Sequence, residues 1–99
     1  MILEIAELTV TPASQQQFEE AVQRAVPLFQ RAHGCVSMTL ERSIENPGTY
    51  LLVVGWQTVE DHTVRFRGSE DFQQWRALVG SYFTAPPKVQ HVETAVRGF

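Results

Sequence analysis

The sequence predicts an α+β fold, with four strands in one antiparallel sheet and two helices packed on one of its faces. Three observations carry this reading. Residues 35–57 read as a β-hairpin, because an alternating segment and an apolar segment flank the turn Asn46-Pro47-Gly48-Thr49. Two stretches with apolar residues at helical spacing follow the first and third strand segments. The resulting order, β-α-β-β-α-β, is the split βαβ arrangement. With 99 residues, 43% hydrophobic and 19% charged, the chain has the size and composition of one ordered domain, spanning residues 1–99.

Residues 2–10 place Ile2, Ala6, Leu8 and Val10 on one strand face and Leu3 and Ile5 on the other. Glu4 interrupts the first face and Glu7 the second. Pro12 suits a first helical position, and Ser14-Gln15-Gln16-Gln17 fits a capping box. Phe18, Val22, Ala25 and Phe29 then form one apolar stripe. Pro27 removes an interior donor and is expected to kink or shorten this helix, while Gly34 suits a left-handed cap. In residues 35–45, Val36, Met38, Leu40 and Ile44 are expected to face the core. Pro47 and Gly48 suit the central positions of a type II turn, and residues 50–57 return as the partner strand. Thr58 caps a helix with Glu60 and Asp61 in its first turn, and Gly68 ends it. Ser69 caps the next, where Phe72, Trp75, Val79 and Tyr82 share a face, and Ala85-Pro86-Pro87 stops it. Residues 88–97 read as the last strand, with Val89, His91, Glu93 and Ala95 on one face.

Helices on one side leave the other side of the sheet, with Leu3, Ile5, Leu51 and Val53, facing solvent. Apolar area of that extent implies a partner, and the simplest is a second copy related by a two-fold axis, so a homodimer through the sheet face is expected. A net charge of -3 with no basic stripe argues against a nucleic-acid partner. No segment approaches the length of a membrane span, and residues 1–7 lack the basic and apolar regions of a signal peptide. A cytoplasmic protein with no membrane association is the expectation. Cys35, the single cysteine, can form neither an intrachain disulfide nor a cysteine metal cluster, and reads as a small buried hydrophobe. His33, His62 and His91 show no paired ligand spacing, so no metal site is expected.

The strand Leu51-Leu52-Val53-Val54 runs into Trp56, and Glu60-Asp61-His62, Phe66 and Ser69-Glu70-Asp71-Phe72-Gln73-Gln74-Trp75 follow. In these residues and in its order of elements, the chain resembles the antibiotic biosynthesis monooxygenase domain over nearly its whole length. The resemblance implies a ferredoxin-like unit that pairs through its sheets into a dimeric α+β barrel. The family includes cofactor-free quinone-forming oxygenases, quinol monooxygenases and haem-degrading enzymes. On the haem-degrading pattern, Ala6, Phe66 and Arg76 fall where asparagine, tryptophan and histidine are expected, which disfavours that activity. On the quinol-oxidising pattern a histidine directly precedes the helix phenylalanine, whereas here Arg65 precedes Phe66 and His62 lies one turn earlier. Trp56 is similar to the strand-end tryptophan of anthrone-oxidising members, whose companion asparagine falls near Leu52.

Cofactor-free oxygenation asks for a base, a dry pocket and a surface on which an aromatic can stack. The resemblance therefore implies His62 as a catalytic base, its ordinary pKa being about 6.5, with Trp56 beside it. Arg65 or Arg76 would stabilise a developing oxyanion, and Phe66, Phe72 and Trp75 would join Trp56 against a planar substrate. The implied substrate is a small aromatic, either a quinol, an anthrone or a polyketide-like phenol, with no cofactor. The same residues also suit plainer roles: His62 paired with Glu60 or Asp61 at the surface, Trp56 and Trp75 in the core, Arg65 and Arg67 in solvent. A non-catalytic homodimeric domain that binds a small aromatic is the alternative, and it would need the pocket but no titratable group.

Overall fold

A computed structural model describes residues 1–99. Along the chain come β1 (Ile2–Thr9), α1 (Gln15–Gln30), β2 (Cys35–Arg42), β3 (Thr49–Trp56), α2 (Glu70–Val79) and β4 (Lys88–Val92). A π-helix at Asp61–Phe66 precedes α2, and 3-10 turns at Pro12–Ser14 and Gly80–Tyr82 flank the two α-helices. The sheet order is β2-β3-β1-β4 with every neighbouring pair antiparallel. This is the expected ferredoxin-like arrangement.

Period-two alternation decides which side chains meet the helices. On β1 the residues Glu4, Ala6 and Leu8 are buried, and on β3 Tyr50, Leu52, Val54 and Trp56 are buried beside them. α1 covers this face with Phe18, Ala21, Val22, Ala25, Leu28 and Phe29, and α2 adds Trp75 and Val79. Phe29 locks the layers together, its ring 4.9 Å from that of Phe66 and 5.0 Å from that of Trp75. The opposite sheet face has no cover. There Ile5 pairs with Val53 and Leu3 with Val92, and Leu51 remains 41% exposed.

Five expectations are corrected. Pro27 neither ends nor shortens α1, because both Pro27 and Gln23, whose carbonyl loses its donor, lie on the exposed side where water can replace the bond. Ser14 makes no side-chain cap, since a 3-10 turn already carries the chain into α1. Val36 and Ile44 are exposed: a register shift between Cys35 and Ser37 interrupts the alternation, and β2 ends at Arg42. β4 stops at Val92, because β1 begins at Ile2 and offers no strand partner to residues 94–97. The segment after Thr58 is mainly a π-helix rather than an α-helix.

Glycine is required at two turns. Gly48 (φ +85°) follows Pro47 as a type II turn needs, with Thr49 N–H donating to Asn46 O at 3.1 Å. Gly34 (φ +78°) closes the end of α1, and a Cβ there would run into the Asp61 carboxylate.

Candidate functional site

Glu4 stands where an apolar residue belongs, on the helix-facing side of β1, and is only 5% exposed. A carboxylate in such a place needs partners. Its Oε1 accepts a hydrogen bond from Trp56 Nε1–H at 3.0 Å. His62 Nε2 lies 3.3 Å from the same oxygen, and the imidazole stacks on the Trp56 indole at a centroid distance of 5.4 Å and 19° between planes. On its far side, His62 Nδ1 lies 2.8 Å from Nε2 of His91. The β1–β4 register sets Glu4 directly opposite His91, so this half-exposed histidine completes a line from solvent inward to the buried acid.

The π-helix turns His62 inward. Thr58 Oγ1 accepts from Asp61 N–H at 3.1 Å and starts the segment. Its wider turn is visible where Arg67 N–H reaches back five residues to His62 O at 3.1 Å. Residues five apart therefore face the same way, and both His62 and Arg67 border one cavity. The surface role considered for His62 falls to others: Asp61 lies 3.8 Å from His33 Nε2 and 3.6 Å from Arg65 Nε.

That cavity measures about 340 Å³, within the range of about 300–1,000 Å³ usual for small-molecule sites. Glu4, Ala6, Leu8 and Leu52 form its sheet wall. His62, Arg67, Phe72, Trp75 and Arg76 form the helix wall, and Phe83, Pro87 and Val89 close the β4 side. Arg31, Arg42 and Arg65 are each held by a carboxylate, whereas Arg67 and Arg76 make no ion pair and keep their charge available to the cavity. A groove of similar size between α1 and β2 is a different environment, spanned by Glu19 with Tyr50 and Arg42. No three histidine, cysteine or carboxylate side chains are arranged to share a metal ion.

Burial, reinforced by Arg67 and His91, lowers the His62 pKa to about 4, so its ring is neutral at neutral pH. Burial raises that of Glu4, with the Trp56 hydrogen bond and Arg67 acting in opposition. The two shifts affect stability with opposite sign. The unfolded chain takes up a proton on residue 62 near its ordinary pKa of 6.5, and the folded chain does so only near 4, so this contribution is lost as pH falls across that window. Glu4 keeps a proton in the folded chain that the unfolded chain has released, which favours the fold towards acid. The His62 contribution is on the order of 1–3 kcal/mol. The urea midpoint is expected to fall less on acidification in His62→Gln than in the unaltered protein. An equal fall would contradict this assignment.

Of the residues singled out from sequence, His62, Phe72, Trp75 and Arg76 meet at the cavity. Trp56 stands behind Glu4 and His62, fully buried. Phe66 is core, packed among Phe29, Trp56 and Phe72. Arg65 points to Asp61 with its side chain 62% exposed and does not border the cavity. Arg67, read from sequence as solvated, borders the cavity, and sequence reasoning singled out neither Glu4 nor His91 as a site residue. The interruption of an apolar strand face by Glu4 was the available signal.

Comparison with known proteins places this geometry in context. The family model described as antibiotic biosynthesis monooxygenase matches residues 1–78. The uncharacterised protein YczJ of Bacillus subtilis (strain 168) is 38% identical over 93 residues, covering 94% of this chain and 98% of that protein. A crystal structure of a candidate antibiotic biosynthesis monooxygenase from Bordetella bronchiseptica is 50% identical, with a TM-score of 0.94 over 96% of this chain and 97% of that one. SnoaB, a cofactor-independent oxygenase from Streptomyces nogalater, shares the fold at 19% identity, with a TM-score of 0.79 over 98% of this chain and 95% of its own.

Proposed function

Since this chain belongs to the antibiotic biosynthesis monooxygenase family, we propose that it is a cofactor-independent monooxygenase acting on a small aromatic such as a quinol, an anthrone or a polyketide-like phenol. One observation carries the reading: a buried carboxylate–imidazole pair, Glu4 with His62, opens onto a cavity walled by Phe72 and Trp75. SnoaB, described as cofactor-independent, has the same fold and lends support to chemistry without a bound group.

The chemistry divides simply among these residues. Phe72 and Trp75 stack on the ring system, and the Glu4–His62 pair supplies the base. With an anthrone-type substrate, removal of a proton leaves the electron pair on the carbon framework, and that carbanion reduces dioxygen. The C–O bond forms as a peroxide, takes up a proton and loses water to leave a carbonyl. One oxygen atom thus enters the product and the other leaves as water, so CH₂ and O₂ become C=O and H₂O. Arg67 and Arg76 offer positive charge to the oxyanion that develops. The apolar wall of Ala6, Leu8 and Leu52 keeps water from the carbanion.

The uncovered sheet face belongs to the same reading. Leu3, Ile5, Leu51, Val53 and Val92 form an apolar surface of the kind that a second copy of the chain would cover, making a homodimer with one cavity in each protomer. No helix is long and apolar enough to cross a membrane.

Oxygen uptake by metal-free protein, offered a panel of anthrones and hydroquinones, tests the proposal. Uptake is expected with at least one compound, falling about a hundredfold or more in His62→Ala and less in Trp56→Phe. Binding without uptake across the panel would instead favour a non-catalytic binding domain.

A further inference from the structure

We propose that Glu4 is the group that takes the substrate's proton, from a neutral aromatic hydroxyl directed at its free carboxylate oxygen, and that His62 and His91 position it. The inference rests on the monooxygenase reading for its chemistry, but the binding site it describes stands independently. Both contacts of Glu4 converge on Oε1: Trp56 Nε1–H at 3.0 Å and His62 Nε2 at 3.3 Å. Oε2 makes no hydrogen bond within the chain, although Glu4 is almost wholly buried and borders the cavity. A carboxylate oxygen that no group of the chain uses, at the surface of a cavity, has lone pairs to give to a ligand.

His62 is less well placed to receive that proton. A carboxylate beside Nε2 favours the tautomer with hydrogen on Nε2, which leaves Nδ1 to accept from His91 Nε2–H at 2.8 Å. Neither ring nitrogen then offers a lone pair to the cavity. The shifts agree with this division, burial making Glu4 the stronger base and His62 the weaker. In the step itself, the substrate O–H bond breaks, an Oε2–H bond forms on Glu4, and the electron pair stays on the substrate oxygen. The proton held on Oε2 is then available to the peroxide, which takes one up before it loses water.

The class of ligand follows. A buried anion at the floor repels a ligand that arrives with its own negative charge there, and it rewards one that brings a hydroxyl. The site therefore takes neutral hydroxyarenes, oriented hydroxyl inward. Arg67 and Arg76, which border the same cavity, then meet the charge that develops on ionisation.

Matched probes read this without turnover: 2-naphthol and its methyl ether, titrated calorimetrically into the full chain. Both stay neutral from mildly acidic to neutral pH. The naphthol is expected to bind about tenfold more tightly than the ether near neutral pH, the margin between a charged and an absent hydrogen-bond acceptor. That preference should shrink to roughly threefold or less in Glu4→Gln, which keeps the shape but offers only a neutral acceptor. It should also shrink in the unaltered protein as pH falls and Glu4 protonates, so the test does not depend on the variant folding. Other charged or titratable groups acting on this carboxylate are His62 and Arg67 from the π-helix segment, His91 from β4, Arg76 from α2 and Cys35 from β2. These groups remain in Glu4→Gln, so a preference that stays small and flat with pH in that variant assigns the change to Glu4. Equal affinity for the two probes, no binding of either up to their solubility limits, or a preference unchanged in Glu4→Gln and at low pH would each overturn the inference. A preference that behaves as described, together with no oxygen uptake on any substrate, would keep the Glu4 site and remove the oxygenase.

Discussion

Trp56→Ala is expected to cost about 3–5 kcal/mol of folding stability, a large share of the roughly 5–15 kcal/mol that holds a domain together. The indole is fully buried at the end of β3, stacks on His62 and lies with its ring centre 5.5 Å from that of Phe66. Removing it opens a void between sheet and π-helix that neighbours anchored in strands cannot close. It also takes the N–H from Glu4 Oε1, leaving a buried carboxylate short of a donor. Trp56→Phe separates the two effects, because it retains much of the ring but not the N–H. Its loss should be about 1–3 kcal/mol, the cost of the orphaned acceptor. Urea unfolding checks both, and a Trp56→Phe variant as stable as the parent would show that the indole–carboxylate bond holds little.

Dissociation into monomers is the expected result of charging the uncovered sheet face. Ile5 and Val53 are direct cross-strand partners near its centre. Changing them together, Ile5→Lys with Val53→Glu, places opposite charges in register, so the strand pair itself retains a favourable contact. The apolar surface available to a second copy is broken at its middle. Sedimentation should give twice the chain mass for the unaltered protein and a single chain mass for the double variant, at micromolar concentration and with unchanged circular dichroism. A double variant that still sediments as a dimer would place the interface elsewhere.

The fold was legible because its signals are local. Alternation along residues 2–10 separates the two faces of β1, and Pro47-Gly48 sets the hairpin turn. Pro27 misled because a proline's effect depends on which side of the helix it occupies, and this one lies towards water. The site was only partly legible, for reasons of geometry. His62 stood out by its chemistry, but its partners come from strands 58 and 29 residues away, joined by sheet register rather than spacing. Glu4 was visible as a break in an apolar face, and nothing in periodicity distinguishes a tolerated charge from a buried functional one. The π-helix explains why Arg65 and Phe66 were given site roles while Arg67 was left in solvent. An α-helical reading assigns directions in steps of three and four residues, while the five-residue bond from Arg67 to His62 O brings Arg67 round to the cavity.

The fate of isotopically labelled dioxygen tests the central claim most directly. With a substrate that supports uptake, metal-free protein should place one labelled oxygen atom in each product molecule and the other in water. Unlabelled product, or label recovered as hydrogen peroxide with the substrate merely dehydrogenated, would contradict a monooxygenase.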